Sequence, residues 1–122
     1  GYMKIKVVMV GLASGLVLGP LGFTHCSIED VSLLRSIPNI SIVCPSDPTE
    51  VIKATEASLN YDRSVYIRLT GSSNTRQIYN EDYDFKIGES ITLKIKDSLA
   101  STYIKDFICS SINDDAATLI SL

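Results

Sequence analysis

Short apolar runs and stretches of helical period alternate along the first two-thirds of this chain. Lys4 to Val10 (KIKVVMV) is β-branched and nearly continuous, as a strand covered on both faces should be. Gly11 to Gly22 then carries four glycines and Pro20, too many for a regular element, and predicts a loop. Ser27 is placed to N-cap a helix, with Asp30 three residues on as its capping-box partner. Ile28, Val31, Leu34 and Ile37 give that helix an apolar stripe, and Pro38-Asn39 ends it.

Ile40 to Cys44 reads as a short apolar strand stopped by Pro45. A second helix starts strongly: Asp47 as N-cap, Pro48 at the first helical position and Glu50 able to reach back. It runs through Val51, Ile52, Ala54 and Ala57 to about Leu59. Asn60-Tyr61-Asp62 turns the chain, and Ser64 to Thr70 (SVYIRLT) reads as a third strand. Strand, helix, strand, helix, strand at these spacings predicts an α/β fold, a three-layer parallel sheet with crossover helices. Ligands in such sheets bind beyond the carboxyl ends of the strands. The Gly-rich loop ending at Thr24-His25, and Gly71 to Asn74, fall at that edge. Farther on, a turn at Gly88-Glu89 leads into alternating ITLKI, a half-exposed strand or connector. Leu99 to Cys109 reads as a short helix, and Ala116 to Leu122 as a strand or frayed end.

Composition narrows the class. With 122 residues the chain can bury roughly 65% of its unfolded surface, enough for one core. At 45% apolar and 20% charged residues it is not a disordered chain. The 11 Lys and Arg against 14 Asp and Glu give a net charge of −3 and no basic patch, which argues against nucleic acid. No run of about 18 apolar residues spans a membrane. Val7 to Leu18 follows two lysines in the manner of a signal peptide, yet Gly11 and Gly15 interrupt it and no small-x-small cleavage site closes it. Cys26, Cys44 and Cys109 are widely spaced, and His25 is the single histidine, so a zinc set is not offered. Reduced thiols in a cytoplasmic protein fit this pattern.

Two segments carry chemistry together: Gly19 to Glu50 (GPLGFTHCSIEDVSLLRSIPNISIVCPSDPTE) and Ser64 to Gly71 (SVYIRLTG). In order and in linking lengths they resemble the pyrimidine-binding domain of the transketolase family of thiamine-diphosphate enzymes. The matching features are Gly-x-Thr-His, an acidic helix start, Leu-Arg-x-Ile-Pro-Asn, Pro-x-Asp, a strand like VYIRL and a connector like FKIGESITL. The resemblance covers about Val7 to Leu93. It implies a partial pyrimidine-binding domain over residues 1–85, followed by a connector and divergent C-terminal tail over 86–122.

For function, the resemblance implies a fragment or split subunit of an enzyme that moves two-carbon units from a ketose or 2-oxo donor to an aldehyde. A deoxyxylulose-phosphate-synthase-like enzyme and a non-catalytic interaction module are the alternatives. His25 matches the family's substrate-side histidine, a role that suits an imidazole near neutral pH. Arg68 matches the arginine of VYIRL and is the second substrate-binding candidate, with an ion-pair or hydrogen-bonding role as the competing assignment. Leu21 and Gly71 stand where many ketose-phosphate enzymes carry an aspartate and an arginine. Adjacent Glu29 and Asp30 point different ways on a helix, so capping and solvation, not paired acid–base work, are expected of them. No catalytic residue is expected in this chain. The family's cofactor-activating glutamate would precede Gly1, and its Gly-Asp-Gly motif for diphosphate and Mg²⁺ does not occur. Thiamine diphosphate and Mg²⁺ therefore belong to a complete assembly and are not expected to bind this chain tightly by itself. A thiamine-diphosphate-binding subunit or second protomer is the implied partner, in an oligomer acting on a small sugar. Where neighbouring strands of such a domain would sit, unpaired apolar edges are expected.

Overall fold

A computed structural model describes residues 1–71, 75–79 and 82–89, together with the backbone of Thr118–Ile120. The predicted helix Leu99–Cys109, the ITLKI segment and Cys109 lie outside the described residues. Four parallel strands form one sheet in the order β1-β3-β2-β4: β1 Val8–Gly11, β2 Ile40–Cys44, β3 Ser64–Arg68 and β4 Thr118–Ile120. Between the first three run α1 (Asp30–Arg35) and α2 (Pro48–Asn60). The predicted strand–helix alternation is the observed one.

The inner strands show why the sequence folds this way. Ile40 to Val43 and Ser64 to Ile67 are buried without alternation, because helices cover both faces. On the α2 face, Val43, Ala54, Val65 and Ile67 form a core, with Val8, Tyr61, Leu69, Phe85 and Ile87 packed around it. On the α1 face, Ile40, Ile42 and Tyr66 pack with Met9, Val31, Leu34 and Ile37. Three of the four predicted stripe residues of the first helix thus reach the sheet, while Ile28 remains exposed.

Two local expectations are corrected. The first strand begins at Val8, not Lys4, because Lys4 turns with φ of 53° and the Ser64 hydroxyl occupies the neighbouring backbone. That hydroxyl donates to the Ile5 carbonyl (2.7 Å) and accepts from the Val7 amide (3.1 Å), displacing strand pairing there. The first helix has Glu29 at its N-cap with no side-chain cap, so the Ser27–Asp30 capping box does not form. Ser27 is instead pulled into a bridge with Gly15.

The second helix follows its prediction closely. Asp47 Oδ1 accepts from the Glu50 amide at 2.8 Å, and Pro48 takes the first turn. Glu50 reaches back one residue beyond the expected box, accepting from both the amide and the hydroxyl of Ser46 at 2.6 Å each.

Candidate functional site

The segment after β1 is built from the carboxyl edge of the sheet outward. Gly11 closes the strand where a Cβ would lie 2.1 Å from the Tyr66 hydroxyl, so only glycine lets the tyrosine pass. The Leu69 amide donates to the Gly11 carbonyl at 2.8 Å, and buried Ser14 donates to the Leu69 carbonyl through both amide and hydroxyl at 3.0 Å. One residue on, Gly15 and Ser27 exchange backbone bonds of 2.7 and 3.1 Å. These two bonds form a neck, and residues 16–26 make an excursion whose ends nearly meet, an arrangement typical of functional surface loops.

Within that loop the chain makes two 3₁₀ turns, Gly19–Leu21 and Phe23–His25. Gly22 joins them with φ of 86°, a conformation that side-chain-bearing residues rarely adopt. The loop presents apolar side chains to solvent, with Phe23 90% and Leu16 72% exposed. His25 is exposed as well, and its Nδ1 lies 3.0 Å from Thr24 Oγ1. The imidazole therefore stands free of the core at the sheet's carboxyl edge, available to something outside the described residues.

Beneath the neck lies a charged cluster. Tyr66 and Arg68, alternate residues of β3 and so on one face, both point at the start of α1. The Tyr66 hydroxyl and Arg68 Nε each donate to Asp30 Oδ2 at 2.8 Å. Arg68 Nη2 donates to the Ser27 carbonyl at 3.3 Å. Burial alone would raise the Asp30 pKa, but the bonds from Arg68 and Tyr66 outweigh it and hold the carboxyl below its ordinary value. Burial, then the bond to Asp30, pushes the Tyr66 phenol up to about 12. Burial likewise raises the Cys44 thiol. Asp30 Oδ1 has no partner among the described residues. Asp30 is thus neither a cap nor a solvated carboxylate; it is the acceptor of a largely buried ion pair, because α1 begins directly over the end of β3. Arg68 lies behind the loop with its guanidinium on Asp30 and Ser27, while His25 lies on the loop itself.

The second polar cluster sits at the turn from β2 into α2. Asp47 Oδ2 accepts from the backbone amides of Ile78 (2.8 Å) and Tyr79 (2.9 Å), tying the 75–79 segment to the helix start. Burial opposes the charge, but four backbone amides hold the Asp47 pKa down. Gln77 adds a bond to Thr49 at 3.2 Å, and Lys53 pairs with Asp82 and covers the Tyr83 ring, 4.9 Å from its centre. Burial, then the Glu50 charge, raises the Tyr83 phenol strongly. A cavity of about 320 Å³ opens between this turn and the end of β3, with Pro45, Val51, Ile52, Leu69 and Gly71 among its walls.

Sequence reasoning missed both clusters as clusters. The signal for the first was the i, i+2 pair Tyr66 and Arg68 near a strand end. The second had no local signal, since Asp47 meets residues more than 30 positions away. Among the described residues no group of three or more His, Cys, Asp or Glu side chains could hold a metal ion. Asp47 and Glu50 are bonded to backbone and serine groups, so no donor set for a diphosphate-bound Mg²⁺ is found there. No helix of the described residues is long and apolar enough to cross a membrane.

Comparison with known proteins agrees with the fold. Residues 1–76 match the family model for the transketolase pyrimidine-binding domain. The chain is 40% identical over 93 residues to a subunit of the apulose-4-phosphate transketolase of Actinobacillus succinogenes, covering 76% of this chain and 30% of that protein. It is 32% identical to human transketolase over 90 residues, 73% of this chain and 14% of that protein. Over 117 residues, 96% of this chain and 18% of the relative, it is 31% identical to 1-deoxy-D-xylulose-5-phosphate synthase of Caldanaerobacter subterraneus. The chain spans less than a third of the length of each.

Proposed function

This chain belongs to the transketolase pyrimidine-binding-domain family, and from that premise we propose that it works as a segment or split subunit of a thiamine-diphosphate-dependent transferase. The assembly would move two-carbon units from a ketose or 2-oxo donor to an aldehyde in the cytoplasm. The observation that carries this reading is His25: a Gly-x-Thr-His turn within the family match sets an exposed imidazole at the sheet's carboxyl edge. Relatives that are themselves named as transketolase subunits support a partner subunit or second protomer in an oligomer. So do the apolar side chains left exposed near β1, which lies at the edge of the sheet among the described residues.

His25 and Arg68 make up the substrate side of this chain, with the imidazole as the direct contact. It can donate to, or accept from, a sugar hydroxyl, and the neck fixes where it does so. The turn Gly22–His25 keeps the ring outside the core, in reach of a substrate held between this chain and its partner. Thiamine diphosphate, bound with its Mg²⁺ elsewhere in the assembly, supplies the electron sink for carbon–carbon cleavage. A second reading, an enzyme resembling deoxyxylulose-phosphate synthase, is favoured by the one comparison that extends over nearly the whole chain.

The test is co-expression with a thiamine-diphosphate-binding subunit of the same family, followed by carboligation assays on the purified complex. His25→Ala should lower kcat/KM at least tenfold without dissociating the complex. Full activity in that variant would remove His25 from the site. A complex that co-purifies with such a subunit yet shows no carboligation would favour a non-catalytic interaction module.

A further inference from the structure

We propose that Arg68 is a positioning residue for His25, acting through the neck of the 16–26 loop instead of touching substrate. The inference rests on the substrate-facing role of His25 proposed above. The Ser27 carbonyl is the shared point: it accepts from the Gly15 amide, which closes the loop, and from Arg68 Nη2. A Cβ built on Gly15 would lie 3.9 Å from that same Nη2, so the guanidinium runs directly under both strands of the neck. Its Nε is fixed by Asp30, and Asp30 is fixed in turn by the Tyr66 hydroxyl. A planar guanidinium can hold a carboxylate and a carbonyl at once in one fixed geometry; an ammonium on a flexible stem cannot. The two side chains of the pair are only 17% and 11% exposed, which leaves little of Arg68 for a ligand. Ser27 is two residues from His25, so the sheet reaches the imidazole through Tyr66, Asp30, Arg68 and Ser27 in sequence. Small displacements of a contact group cost large factors in rate, which gives such a link its use.

Amide hydrogen exchange on the isolated chain tests the link without any enzyme assay. In Arg68→Met, the Gly15 and Ser27 amides should exchange at least tenfold faster while the Val43 and Ile67 amides keep their protection. Should that variant unfold, Arg68→Lys, which retains a charge for Asp30, should loosen the same two amides in a folded chain. Neck amides as protected as in the parent would overturn the proposal. In the assembled enzyme, Arg68→Met should lower kcat/KM, yet the double variant with His25→Ala should be no worse than His25→Ala alone. Losses that multiply would show that Arg68 acts independently of His25 and would also overturn it. An inactive parent complex would count against the proposed function, and the exchange result would then decide the positioning role.

Discussion

The α2 half of the molecule buries charge, and the segment before α1 exposes oil. Around α2, Asp47 is 2% and Glu50 1% exposed, yet Asp47 binds amides through both oxygens and Glu50 accepts twice from Ser46. Before α1, Leu12, Leu16, Leu21 and Phe23 face solvent with no apolar neighbour to cover them. Buried carboxylates are tolerated because short-range geometry satisfies them; burying them unpaired would be expensive. Exposed apolar side chains gain nothing from the chain's own fold. One region is finished internally, and the other has the composition of a surface made to be covered.

The largest stability effect expected on the finished side is Ile67→Ala, which empties the centre of the sheet. It should cost about 3–4 kcal/mol in urea denaturation, whereas Leu16→Ala should stay within about 0.5 kcal/mol. Equal effects would erase the contrast between the two regions. Next comes Asp47. Asp47→Ala removes the helix cap and orphans the Ile78 and Tyr79 amides, for a combined loss of about 2–3 kcal/mol. Asp47→Ser keeps the cap but does not reach those amides, and should recover about 1 kcal/mol. A serine variant as weak as alanine would show that the tie to residues 78–79, not the cap, dominates.

Acid provides a smaller and graded test. Asp30 and Asp47 both have folded pKa values below the ordinary 3.8. Their stabilisation is therefore present in full above that value and is lost as pH falls through the depressed folded values. Urea midpoints should be flat from neutral pH down to about 4.5 and then fall steeply. Asp30→Asn should reduce that fall, because the group that titrates there is removed while an oxygen can still accept from Tyr66 and Arg68. An unchanged slope would mean that the ion pair adds little. The smallest stability change belongs to Phe23→Ser, within about 0.5 kcal/mol. Its readout is sedimentation, where self-association of the isolated chain should decrease; a parent chain that sediments as a well-behaved monomer would refute the covered-surface idea.

Which features were legible follows from how far apart their causes lie. The start of α2 could be read because Asp47, Pro48 and Glu50 specify it within one turn. Inner strands β2 and β3 were visible as continuous apolar runs, since burial on both faces writes itself into every position. The first strand was overextended because its early residues are diverted by Ser64, far along the sequence. Asp30 was misassigned for the same reason: its partners lie 36 and 38 residues away. His25 stood out through its motif, whereas the neck that holds it depends on Gly15 meeting Ser27 across the loop.

The contact between Gly11 and Tyr66 has an evolutionary corollary. Any side chain at position 11 would meet the tyrosine hydroxyl at 2.1 Å and two ring carbons at 2.7 and 2.8 Å. Phenylalanine at 66 would relieve only the first of these, so Gly11→Ala should find no suppressor in Tyr66→Phe. A genetic selection for revertants of Gly11→Ala should instead return small aliphatic residues at 66, and each revertant would carry an Asp30 that has lost one of its two side-chain donors. Drift at one of these positions is thus confined by the other, although they are 55 residues apart in the chain.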